Sequence, residues 1–313
     1  MGRPAHANLT FNVTIIGFDA AGTAVINNAL AFYSATFTDP ITVAIQFHNM
    51  ATGLNASSIA PLYTVDYSQY RAALGADATS ADDNTALANT PVQANNPVNA
   101  SASVQLKSAN GRAVGLNTPG TLINIAGFCN YTGDGCIGIN EAITSTGGGG
   151  PYSMLAAVEH EIDEVLGLGS GVGFSQPWAE DLFRYSANGV RTNFLSNASC
   201  SGPSGQGPLN YFSIDGGATN LDTFNNCDNG ADYGDWVTHT PSQVQDAITN
   251  GTGNPFLTAS SPETVALDVI GYTRAGTAPV PEPTSVILLG SVVVFVAGVK
   301  KRRAGMRKGQ QLA

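Results

Sequence analysis

The chain is 313 residues long, with a formal charge of −10, only 12% charged residues and 36 glycines. Six of its 13 Lys and Arg lie beyond residue 299, so residues 1–280 hold seven cations against 22 acids, a formal charge of −15. Such a body lacks the basic footprint that nucleic-acid binding demands. Sparse charge with abundant Gly, Asn, Ser and Thr suits an extracellular domain rich in turns and strands.

In chain order, Ala5-His6-Ala7 fits a small-x-small export cleavage pattern, although no apolar stretch precedes it, so Asn8 is expected near a mature terminus. Leu9, Phe11, Val13 and Ile15 alternate as in a strand, Ala20 to Phe37 reads as helical, and Ile41 to Ile45 is a second strand, giving a β-α-β opening. Tyr67 to Ala81 reads as a short helix, Val104–Leu106 and Leu122–Ile125 as strands, and Gly147 to Gly150 as a hinge. The strongest helix is expected over 151–168. Pro151 stands early in it, Leu155, Val158, Ile162, Val165 and Leu166 share a face, and Gly167 sits at its C-cap. After a loop-rich stretch from Gly202 to Gly234, Ser261-Pro262-Glu263 opens a last helix that runs through Ala266, Val269 and Ile270 to Gly271. These elements predict a single α+β domain over 8–278.

Residues 279–313 change character: Pro281-Glu282-Pro283, an apolar segment at 284–299, then a basic end at 300–308. An apolar run followed at once by Lys and Arg predicts a transmembrane tail held with its carboxyl terminus on the cytoplasmic side. It is shorter than the ~20 residues of a comfortable span. The four cysteines, Cys129, Cys136, Cys200 and Cys227, form no CxxC pair and read as two disulfides. Three connectivities are open; Cys129–Cys136 and Cys200–Cys227 are favoured because each pair brackets a Gly/Asn-rich loop.

Chemistry concentrates on His160-Glu161-Ile162-Asp163-Glu164-Val165-Leu166-Gly167. His160 and Glu164, four residues apart, leave one helical face and can converge on a metal. Glu161, about 100° around the helix, could act as general base on a metal-bound water. This is an HExxH zinc-peptidase arrangement with glutamate in place of the second histidine; the same residues also fit a solvated acidic helix face. The loop Asp228–Asp235, with Asp228, Asp232 and Asp235 among glycines, is oxygen-rich in the way of weak calcium sites in secreted proteins, or is a solvated turn. No G-x-S-x-G elbow, P-loop or dinucleotide fingerprint stands in the required context.

The blocks HEIDEVLG (160–167), DLFRYSANGVR (181–191), YFSIDGG (211–217), YGDW (233–236), SPETVALDVIGY (261–272) and VPEP (280–283) resemble exported bacterial metalloprotease-like proteins with a PEP-CTERM sorting tail. The resemblance implies a zincin-like fold, zinc as cofactor, and a peptide or protein substrate. It also implies a membrane enzyme, exosortase, that cuts near Pro-Glu-Pro and releases the transiently anchored body to the cell surface or extracellular matrix. A catalytic zinc needs a third protein ligand. The metzincin position is Ser170, and no methionine lies between Met154 and Met306 to form a Met-turn. Gluzincin-like enzymes use a carboxylate about twenty residues on, where Glu180 and Asp181 stand. Asp181 is preferred because it heads the DLFRYS block, with His239 a further candidate for ligand or proton donor. Two functions follow as expectations: an exported zinc-dependent peptidase, or a non-catalytic extracellular matrix or surface protein that keeps a degenerate peptidase fold.

Overall fold

The computed structural model describes residues 8–50, 55–144, 146, 152–194, 209–228 and 230–276. The chain divides into two units, Met1–Thr277 and Ala278–Ala313. The expected sorting tail, the Ala5–Ala7 cleavage site, the Gly147–Gly150 hinge, Pro151 and Cys200 lie outside the described residues. Among the described residues, no helix is long and apolar enough to cross a membrane.

The first unit is α+β with six helices among its described residues. The β-α-β opening forms as its periodicity predicts: β1 (Thr10–Ile16), α1 (Ala20–Thr36) and β2 (Thr42–Asn49), with β1 and β2 parallel. Asp19 caps α1 by accepting the Gly22 N–H at 2.8 Å. Next come β3 (Ala56–Ile59), β4 (Leu62–Asp66), α2 (Tyr67–Asp77), α3 (Ala81–Asn89), β5 (Ser103–Lys107), α4 (Ser108–Ala113) and a hairpin of β6 (Thr121–Ile125) with β7 (Cys129–Gly133). The stretch read as one helix over Tyr67–Ala81 ends at Asp77, and α3 follows from its own N-cap. There Ser80 and Asp83 form a reciprocal capping box.

β8 (Gly135–Ile139) completes the main sheet, whose order is β1-β2-β8-β3. β8 runs parallel to β2 while β3 runs antiparallel to β8, so the sheet is mixed and β3 is an edge. Cys129 and Cys136 are disulfide-bonded, joining β7 to β8. Cys227 is also in a disulfide. α5 (Met154–Leu166) is the expected strong helix. A 3-10 turn (Glu180–Phe183) then leads to a small sheet of β9 (Arg184–Ala187), β10 (Val190–Arg191), β11 (Tyr211–Phe212) and β12 (Asp222–Thr223), before α6 (Pro262–Val269). The core is continuous from Ile45, Phe47, Ile137 and Ile139 of the sheet through Val158, Ile162 and Val165 of α5 to Leu267 and Ile270 near the end.

Where α2, α3 and α6 meet, carboxylates are buried with few cations. Burial pushes Asp39 up to about 8. Burial and the neighbouring Asp83 push Asp268 up to about 8, against the pull of Arg274, and raise Asp77 to about 7. The folded state therefore holds protons that the unfolded chain releases above pH ~4, so stability is fully present below that value and is lost as pH rises toward 8. Each such group contributes a slope of up to about 1.4 kcal/mol per pH unit. Asp19 and Asp215 shift the other way but are exposed, where solvent screens them. Urea unfolding in chelator is expected to show a higher midpoint at pH 5 than at pH 8; a flat or reversed profile contradicts this.

Candidate metal centre

α5 is built to present His160 and Glu164. Ser153 caps its N-terminus, its Oγ accepting the Ala156 N–H at 3.3 Å. Gly167 ends it at φ +152°, a conformation L side chains rarely adopt, and its N–H returns to the Asp163 carbonyl at 2.9 Å. The apolar face packs on the sheet, which leaves the polar face over the edge strand β3. There the Ser58 hydroxyl donates to Glu164 Oε2.

The third member comes from far away in sequence. His160, Glu164 and Asp235 are the one group among the described residues whose ligand atoms all lie within 4.8 Å of one another. His160 Nε2 is 3.8 Å from Glu164 Oε1 and 3.6 Å from Asp235 Oδ1. Two further contacts orient these groups. His160 Nδ1 is 3.1 Å from the Val244 carbonyl oxygen, so it carries the proton and leaves Nε2 free as a ligand. Gln245 Nε2 donates to Asp235 Oδ1 at 2.9 Å.

Local packing brings Asp235 to α5. A side chain at Gly234 would collide with the backbone of Gly169 and Ser170, so only glycine allows the 232–235 loop this close to the segment that follows the helix. Arg184, fully buried, donates through Nη2 to the Tyr233 carbonyl and stacks 3.7 Å from the Phe224 ring centroid. Trp236, also fully buried, lies 5.0 Å from Phe224 and 5.8 Å from Phe212 between ring centroids, and its indole N–H donates to Glu263 at 3.2 Å. Asp235 thus sits between two anchored neighbours.

The other candidates stand elsewhere. Asp181, preferred from sequence as third ligand, is not in the group: its carboxylate accepts from Ser170 Oγ (2.6 Å), Gly171 N (2.7 Å), Trp178 N (2.9 Å) and Arg184 Nε (3.2 Å). Four donors use the capacity of a carboxylate. Asp181 acts at one remove, holding the Arg184 that holds Tyr233. Glu180 accepts the Gly169 N–H at 2.7 Å. His239 has a carboxylate at each ring nitrogen, Asp246 at 2.6 Å and Asp222 at 3.2 Å, which leaves neither free to ligate. Asp228 binds the Tyr233 hydroxyl and Asp232 the Gly234 N–H, so only Asp235 of the acidic loop joins the centre.

Glu161 lies beside the group, 5% exposed, with Oε2 buried and unpartnered. Burial and then the charge of Glu164 push its pKa well up. Burial, Asp232 and Glu164 do the same to Asp235. Burial pulls His160 down, but Glu161 and Glu164 outweigh it and the net shift is upward. Four carboxylates, those of Glu161, Glu164, Asp235 and the neighbouring Asp232, thus face one imidazole; a divalent cation would offset their mutual repulsion. All five line a cavity of about 680 Å³, walled also by Asn55–Ser58, by Gln243, Val244 and Asp246–Thr249, and by Gly251–Gly253. Among the described residues, neither Lys nor Arg lines it. Compared with protein-family models, curated proteins and solved structures, the chain matches none.

Proposed function

We propose that the chain is an exported zinc-dependent peptidase of zincin-like fold. The carrying observation is the convergence of His160 Nε2, Glu164 and Asp235, with the histidine's other nitrogen tied to a backbone carbonyl and Glu161 adjacent in the same cavity. One imidazole with two carboxylates is an acceptable zinc donor set, and three protein ligands leave a position open. Bound there, zinc would supply Lewis acidity toward a carbonyl oxygen and toward water. Glu161, which binds nothing else through Oε2, takes the proton of the attacking water and can return it to the leaving amine.

The substrate class follows from β3. The Asn140 N–H donates to the Asn55 carbonyl at 2.8 Å, so by antiparallel alternation Asn55 and Ser57 turn their peptide groups to β8, while Ala56 and Ser58 turn theirs to the outer edge, where no further strand pairs among the described residues. That edge borders the cavity. An extended peptide can add to it as a further strand and lie across the centre. Export, sorting by exosortase and final placement at the surface or matrix rest on the pattern of residues 279–313 and belong to the same proposal. Full-length protein loaded with zinc is expected to hydrolyse casein and to lose that activity in a chelator. Hydrolysis that persists after the metal is stripped, or zinc-loaded protein inert toward casein and peptide mixtures, contradicts the reading.

A further inference from the structure

The segment from Trp236 to Ala247 supplies both groups that orient the centre, the Val244 carbonyl on His160 and the Gln245 amide on Asp235. Little regular structure holds it. Trp236 N–H donates to the Gln245 carbonyl (2.8 Å), Ala247 N–H to the Trp236 carbonyl (2.9 Å) and Gln245 N–H to Glu263 (3.1 Å). Val237 N–H also donates to the Thr223 carbonyl of β12 (2.8 Å). Beyond these backbone bonds side chains close the 239–246 turn, and Asp246 is their hub: its carboxylate accepts from the backbone N–H groups of His239 (3.1 Å) and Gln243 (3.0 Å) and pairs with His239 Nδ1. His239 Nε2 then reaches Asp222 on β12.

We propose that His239 is a positioning residue of the metal centre: bridging Asp246 to Asp222, it clamps the loop that aims His160 and Asp235. This rests on the metal-site reading. An imidazole between two carboxylates donates from both nitrogens and is therefore charged. Its hydrogen bonds to Asp222 and Asp246 raise its pKa to about 10, so the clamp stays closed throughout the neutral range. His239 touches none of the three ligands, and its effect on them passes only through Val244 and Gln245.

The test is zinc titration of the full chain by calorimetry, with the melting temperature of the metal-free protein alongside. Outer-shell partners typically set 10–100-fold in metal affinity. His239→Ala is expected to weaken zinc binding at least ~10-fold and, by leaving the buried Asp222 and Asp246 without their cation, to lower metal-free melting as well. His239→Arg, which keeps the charge and several donors, is expected to recover most of both. Wild-type affinity in folded His239→Ala overturns the clamp. So does a loss accompanied by lowered metal-free melting that arginine fails to recover, because that marks a general structural role. Should His239→Ala not fold, Asp222→Asn removes one charge and keeps an acceptor; a several-fold loss of affinity supports the clamp and no loss overturns it. Wild-type protein that takes up no zinc removes the metal-site reading and the clamp with it, whereas zinc bound equally by wild type and variant removes the clamp alone.

Discussion

Glu161→Gln is expected to lower peptide hydrolysis by about 10²–10⁴-fold, the usual share of a general base, while zinc uptake and fold persist. Gln matches Glu in shape, so the cavity and the three ligand groups keep their packing. It cannot accept a proton, and that is the function the geometry leaves to Oε2, which is buried without a partner. A second consequence separates loss of a base from loss of structure. Burial and then the charges of Glu164 and Asp235 push the pKa of Glu161 well up. Neutralising it removes a like-charge repulsion, so the metal-free variant should melt at or above the wild-type temperature. Equal cleavage by both proteins would remove Glu161 from the mechanism. Lost cleavage with a lower melting temperature would mean the residue serves the fold.

Long periodic elements were legible in the sequence. β1, α1, β2, α5 and α6 follow alternation, 3.6-residue spacing and terminal Pro or Gly. The edge strand β3 was not, because Ala-Ser-Ser-Ile has neither an apolar run nor a β-branched pattern, and its pairing with β8 decides its state. The site divides in the same way. Spacing on one helix joins His160 to Glu164, since i and i+4 share a face. No local spacing joins either to Asp235, which arrives from a loop carried by the Gly234–Gly169 approach and the Arg184 hydrogen bond to Tyr233. The one local trace was concentration of Asp and Gly in Asp228–Asp235, which also fits a calcium loop. Asp181 sits in the right range along the chain, but its environment is a turn whose amide groups and Arg184 consume the carboxylate. His239 was readable as a lone histidine; that aspartates occupy both its nitrogens depends on β12 and the 243–246 turn.

Asp235 is accordingly where sequence expectation and structure part, and its substitution carries the second large effect. Asparagine keeps the size of the side chain but removes the charge and one of the two oxygens. Zinc would then face His160, Glu164 and at best a neutral amide oxygen. The affinity loss should be at least ~100-fold, the upper end of what outer-shell substitutions cost. Asp235 also raises the pKa of Glu161, so removing its charge should ease that repulsion without loosening the buried Trp236 anchor.

Zinc titration of the full-length chain, wild type against Asp235→Asn, tests the metal centre most directly. One zinc per chain in the wild type, weakened at least ~100-fold in the variant, is the predicted result. Zinc bound with the same affinity by both, or by neither, would contradict a site built from His160, Glu164 and Asp235.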